Sequence, residues 1–367
     1  MAEQPVILHS LKQFILPMKI EQKYLPAFRY AFGATFIMAI AMASGEQLAY
    51  IVPILALSFL APGSKGLSFK QGVGFVLTVL VTSFLGFYFT RYFYDFTWVF
   101  IPLLGLGLFW IFYTDSLTMV AKLFLLISLL ATPIPMDGIS TTVWSFAIAK
   151  TLVSGAFYTI LVVWIVYALF PDKAERPAAK KGGTAQKNTA STSSERFSRA
   201  VEIFIITFPV TLAFIFFQWS NGLLVLLYIV ILTMIPVPGK IAGKVKILGN
   251  ILGGIFLIIF YELVVIVPDF FFFLVLYLGT ALFFAYKVFS DSPYSSLYKT
   301  GFSTLTLIIG ESSTGTGTAA SEIWIRIIQV IIAVFYTVGV ANLLAAYKER
   351  RKLGAQKRKN KTLAWQV

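Results

Sequence analysis

From about residue 26 to residue 347 the chain is a succession of apolar runs, and one long polar segment, 171–199, divides them into two groups. A helix that crosses hydrocarbon needs about 20 mostly apolar residues and pairs every backbone N–H and C=O within itself. Such runs are read near 26–44, 47–62, 70–92, 97–114, 118–134 and 143–170, then near 200–219, 221–237, 246–267, 269–289, 299–312 and 323–347. The sequence therefore predicts an all-α polytopic membrane protein with about 12 transmembrane helices. Composition agrees, because only 13% of residues are charged and 58% are hydrophobic, whereas soluble domains carry about 25% charged residues.

The net charge of +14 reads as membrane topology rather than nucleic-acid binding. With the N-terminus in the cytoplasm, all but Arg91, Lys150 and Arg326 of the 30 Lys and Arg residues lie in or beside cytoplasmic segments. Glu46, Asp95, Asp137, Glu262, Asp269, Glu311 and Glu322 lie at or near the opposite loops. That asymmetry follows the positive-inside rule and places both termini in the cytoplasm. Glu3, Lys12, Lys19 and Lys23 break the pattern of a cleavable signal. The leader before the first span reads either as a short interfacial helix or as a segment without fixed structure.

Two corners, "APGSKGLSFK" (61–70) and "VPGKIAGKVK" (237–246), each follow an apolar run. Pro62, Gly63 and Lys70 match Pro238, Gly239 and Lys246 at a constant offset of 176 residues, and Asp115 matches Asp291 at the same offset. Trp144 and Trp324 recur 180 apart, and "AFYT" (156–159) is echoed by "VFYT" (334–337). The sequence thus predicts two six-helix membrane repeats, 26–170 and 200–347. A leader (1–25) precedes them, a flexible basic cytoplasmic linker (171–199) joins them, and a basic cytoplasmic tail (348–367) follows. Six spans return the chain to its starting side, so the repeats are parallel, related by a pseudo-two-fold axis along the membrane normal.

Enzyme signatures are missing. No phosphate loop, HExxH or GxSxG sequence occurs, there is no cysteine, and the single histidine is His9. Neither an enzyme nor a metal or other cofactor is expected. Intramembrane charge is the sharper signal, since a charged group at mid-bilayer is costly. Lys150 and Arg326 lie on the last span of each repeat and are candidates to meet a substrate carboxylate. Structural roles compete: Lys150 can snorkel to the interface, and Arg326 has Glu322 one turn earlier. Glu311 and Glu262 are the proton-coupling candidates, against the alternative of interfacial carboxylates facing water. Tyr158 and Tyr336, in the FYT echo, are candidates to stack on or hydrogen-bond a ligand, against the alternative of packing.

The two six-span units, an arginine close to the start of each unit's first span (Arg29, Arg199) and the P-G corner with a basic start to the third span resemble the fusaric-acid-resistance superfamily, which includes the aromatic acid exporters. The resemblance covers about residues 25–347 and lacks the large cytoplasmic domain of the bigger exporters, so it points to a short branch. It implies export of aromatic or other small organic acid anions from a bacterial inner membrane, driven by the proton gradient, and proton antiport is the leading reading. A periplasmic adaptor of the membrane-fusion type is the implied partner, besides the substrate and the bilayer, and a homo-oligomer is left open. Substrate would meet Lys150 or Arg326 near the pseudo-two-fold axis, with access alternated by rocking of one repeat against the other. The competing readings are a passive organic-anion channel of the same architecture and a non-transporting membrane component of an efflux complex.

Overall fold

The computed structural model describes residues 24–45, 51–64, 66–136, 138–171, 193–234, 240–312, 328–329 and, with interruptions, 331–347. Among them no strand occurs. The helices are α1 (Leu25–Ser44), α2 (Ile51–Phe59), α3 (Phe69–Phe93), α4 (Thr97–Tyr113), α5 (Met119–Ala131), α6 (Thr141–Leu169), α7 (Ser193–Phe217), α8 (Leu223–Met234), α9 (Lys240–Ile266), α10 (Phe270–Val288) and α11 (Ser295–Ser312), then α12 (Ile331–Ala341). By length and composition α1, α3, α6, α7, α10 and the Leu248–Ile266 part of α9 can each cross a membrane. The chain is a helical membrane protein.

Local chemistry sets the helix ends. Pro26 lies in the first turn of α1, where its missing N–H costs nothing, and Gly45 closes that helix at φ 59°. A capping box opens α3: the Ser68 amide donates to Gln71 Oε1 at 3.0 Å and the Gln71 amide to Ser68 Oγ at 3.3 Å. Thr118 caps α5 by accepting from the Ala121 amide, and Asp269 caps α10 by accepting from the Phe272 amide at 2.9 Å.

The chain forms two compact units, and each mixes the two halves of the sequence. One comprises α1, α2, α3 up to Leu80, α6 from Lys150, α9 from Lys244, α10 and α11; the other holds the rest of α3 and α6 with α4, α5, α7, α8 and α12. In the first unit α1 packs on α10 and α2 on α11. In the second α7 packs on α4 and α8 on α5.

The first unit is centred on the buried aromatics Tyr30, Tyr277, Phe284 and Phe302, with ring centroids 5.3 Å apart for Phe284 and Phe302 and 5.7 Å for Tyr30 and Phe302. Inside this apolar shell the Tyr277 and Thr306 hydroxyls pair at 2.8 Å, as buried hydroxyls must. Gly253 of α9 and Gly301 of α11 let those backbones touch, and Thr304 Oγ1 donates to Asn250 Oδ1 at 2.5 Å across the same contact. The Pro62–Gly63 corner, with Gly63 at φ 82°, is fastened to the end of α6. There the Tyr167 hydroxyl donates to the Ser64 carbonyl at 3.3 Å and Trp164 Nε1 to the Leu67 carbonyl at 3.0 Å. Arg29 lies 4.4 Å over the Tyr167 ring and donates to the Phe170 carbonyl at 3.5 Å. At 5% exposure it is a buried charge held by a π face and a carbonyl.

The second unit carries a run of buried hydroxyls between α3 and α5. Ser128 Oγ donates to the Ser83 carbonyl at 2.9 Å, Thr132 Oγ1 to the Ser128 carbonyl at 2.7 Å, and Thr90 and Thr132 pair at 2.6 Å. Helix α7 begins at Ser193, earlier than the apolar run from 200 predicts. Arg196 and Arg199 both reach Asp115, at 3.6 and 3.4 Å, and Phe197 sets its edge against Phe109 at 5.7 Å. These contacts hold the polar first turns of α7 in helical form.

Candidate functional site: an aromatic cavity beside the α7–α8 turn

Polar and aromatic residues, "FQWSNG" (217–222), join the apolar runs of α7 and α8. Helix α7 ends because Gln218 adopts φ 50°, the left-handed conformation usually given to glycine at this position. The Trp219 amide then reaches back to the Phe214 carbonyl at 3.2 Å, the long bond of a Schellman cap. A non-glycine residue in this region costs about 1 kcal/mol or more, and here the side chain offsets it. Gln218 Nε2 donates to the Ile215 carbonyl at 2.6 Å, capping the helix end, and to the Tyr94 hydroxyl at 3.1 Å.

The turn leaves an open cavity of about 460 Å³ within the second unit. Phe214 of α7, Trp219 and Ser220 of the turn, Val225 of α8, and Ile332 and Tyr336 of α12 line it with Gln218. The Phe214 and Trp219 rings meet edge to face at 5.4 Å, and Phe217 stacks on Trp219 at 5.2 Å. Gly222 gives Phe214 its room, since a Cβ there would stand 3.0 Å from the ring. The Tyr336 hydroxyl donates to the Ile206 carbonyl at 2.9 Å, three residues before Pro209, in the stretch of α7 whose hydrogen bonding that proline disturbs. This bond fixes the Tyr336 ring as a wall of the cavity. Three aromatic side chains, aliphatic walls and a few neutral polar groups form a surface suited to a small aromatic molecule.

Among the described residues singled out by sequence, Tyr336 alone lines this cavity. Tyr158 is half-buried on α6, packed against the cluster of Ile37, Val52, Ala56, Val162, Val166 and Phe170 in the first unit. Lys150 and Glu262 stand at exposed positions of α6 and α9. Glu311 falls in the last turn of α11, and its side chain lies outside the described residues. Arg326, Glu322, Trp324, Glu46, Asp137, the leader to 23, the segment 172–192, the second corner at Pro238–Gly239 and the tail from 348 also lie outside them. Sequence reading passed over Phe214, Gln218, Trp219 and Ser220. The available signal was a polar–aromatic turn between two otherwise unbroken apolar runs. Among the described residues no group of His, Asp or Glu side chains is placed to hold a metal ion.

No protein-family model, no curated protein and no solved structure matches the chain.

Proposed function

We propose that this chain is a secondary transporter that exports small organic, aromatic acids across a bacterial inner membrane by proton antiport, with both termini in the cytoplasm. The aromatic cavity beside the α7–α8 turn carries the reading. It is a concave site of ligand size, walled by Phe214, Trp219 and Tyr336, in a chain whose helices are built for lipid and whose sequence bears no enzyme signature. A periplasmic adaptor of the membrane-fusion type is the partner that such an exporter would use.

The same proposal takes the twelve helices as twelve spans in two parallel repeats. Packing inside the units supports it. The first and second helices of one half pack on the fourth and fifth of the other in both units: α1 on α10 and α2 on α11, α7 on α4 and α8 on α5. Ser128 on α5 and Thr304 on α11 are 176 residues apart. Both are buried hydroxyls bonded to the third helix of their own half, at Ser83 and at Asn250.

The test is counterflow of a labelled aromatic carboxylate into proteoliposomes preloaded with the unlabelled acid. The proposal expects exchange that falls at least tenfold in Trp219→Ala and Phe214→Ala. Exchange unaffected by both substitutions would remove the cavity from the transport path.

A further inference from the structure

The cavity's hydrogen-bonding groups specify more than an aromatic shape. The two hydrogens of Gln218 Nε2 go to the Ile215 carbonyl and the Tyr94 hydroxyl, so this side chain has only its amide oxygen left to offer, an acceptor. Tyr336 gives its one hydrogen to the Ile206 carbonyl and likewise retains only acceptor capacity. Three backbone amides of the turn are engaged as well: Trp219 with the Phe214 carbonyl, Ser220 with the Gln218 carbonyl and Gly222 with the Trp219 carbonyl. Donors left among the described lining side chains are the Ser220 hydroxyl and the Trp219 indole N–H, and none of those side chains is charged.

A carboxylate entering this cavity would give up part of its water and, among the described lining side chains, meet two neutral donors, two acceptor oxygens and no cation. Desolvation without a compensating charge disfavours the ionised form and raises the pKa of a bound acid. We infer that the cavity binds its ligand uncharged: an aromatic ring bearing a hydroxyl, an amide or a protonated carboxyl group that donates to Gln218 Oε1. This rests on the reading of the cavity as the substrate site. A bound aromatic acid takes up a proton from solvent on entering and that proton travels with the ligand, so the proton exchanged in antiport is a separate one carried by the protein.

The test is calorimetric titration of the purified full-length chain with benzamide, benzyl alcohol and benzoate at several pH values. Expected are affinities for the two neutral ligands that do not change with pH. Benzoate affinity should fall about tenfold for each pH unit above the acid's own pKa. Gln218→Leu should weaken benzamide about fivefold to tenfold, the effect of one lost hydrogen bond of ordinary strength. Tyr336→Phe, which leaves the turn untouched and keeps the ring, should weaken it less. Benzoate binding as tightly as benzamide at alkaline pH would overturn the inference. So would loss of benzoate binding in Arg326→Gln, which would show recognition by charge. Benzamide binding with no transport of any aromatic acid would sustain the inference and remove the transport reading. Transport of aromatic acids by a protein that does not bind benzamide would do the reverse.

Discussion

Adjacent glycines on α9 should respond to the same substitution in opposite ways. Gly253 lies against the backbone of Gly301 on α11: a Cβ there would overlap the Gly301 carbonyl oxygen and stand 3.2 Å from its Cα and carbonyl carbon. No flexible side-chain end is available to yield, so the two helices must separate. A gap of about 0.5–1 Å already forfeits a quarter to a half of each dispersion contact. It would also stretch the buried Thr304–Asn250 hydrogen bond, now 2.5 Å, on the same pair of helices. Overpacking of this kind costs about 1–3 kcal/mol, more than the roughly 0.5–1 kcal/mol that alanine gains over glycine in a helix interior. Gly254 has nothing within 4 Å of the corresponding Cβ position, so there only the helix gain remains. Thermal unfolding in one detergent should therefore place Gly253→Ala a few degrees below the parent protein and Gly254→Ala level with it or slightly above. Equal behaviour of the two variants, or a stabilised Gly253→Ala, would refute the close α9–α11 packing.

Three further outcomes follow from the same kind of reasoning. Tyr167→Phe removes the bond to the Ser64 carbonyl but keeps the ring under Arg29, so it should cost about 0.5–1.5 kcal/mol. Tyr167→Leu, which also strips the π face from a buried charge, should cost distinctly more in the same unfolding assay. Asp115→Asn breaks the pairs to Arg196 and Arg199, whose side chains are a third to a half exposed; the loss should stay below about 1 kcal/mol for each pair and vanish in high salt. Tyr336→Phe removes the bond to Ile206 and should lower stability by about 1 kcal/mol without closing the cavity to aromatic ligands.

Much of the fold was legible because lipid leaves few choices. A run such as 70–92 has to be a helix, and α3 (Phe69–Phe93) matches it within a residue at each end. Short segments were less readable. Of the run 47–62, the described part from Ile51 is helical only to Phe59, as α2, and the run 118–134 only over Met119–Ala131, as α5, because Pro62 and Pro133 with their neighbours end regular hydrogen bonding. The start of α7 was hidden, since Ser193–Arg199 is polar and owes its helix to Asp115 and Phe109, distant in sequence. Repeating landmarks announce similar local structure, but they do not say which helix packs on which, and the exchange that places α1 on α10 and α7 on α4 appears only in three dimensions. The candidate site was legible in part. Tyr336 was found through the FYT echo, whereas the role of Gln218 depends on a backbone conformation that its residue type gives little reason to expect.

The most direct test of the central claim uses the purified protein in liposomes with a trapped pH dye. An aromatic carboxylate is added at clamped voltage, and protein-free vesicles give the background. The account predicts proton movement that requires the acid, exceeds that background and is lost in Trp219→Ala. Flux of the acid with no linked proton movement would contradict it, and so would proton movement indifferent to the acid.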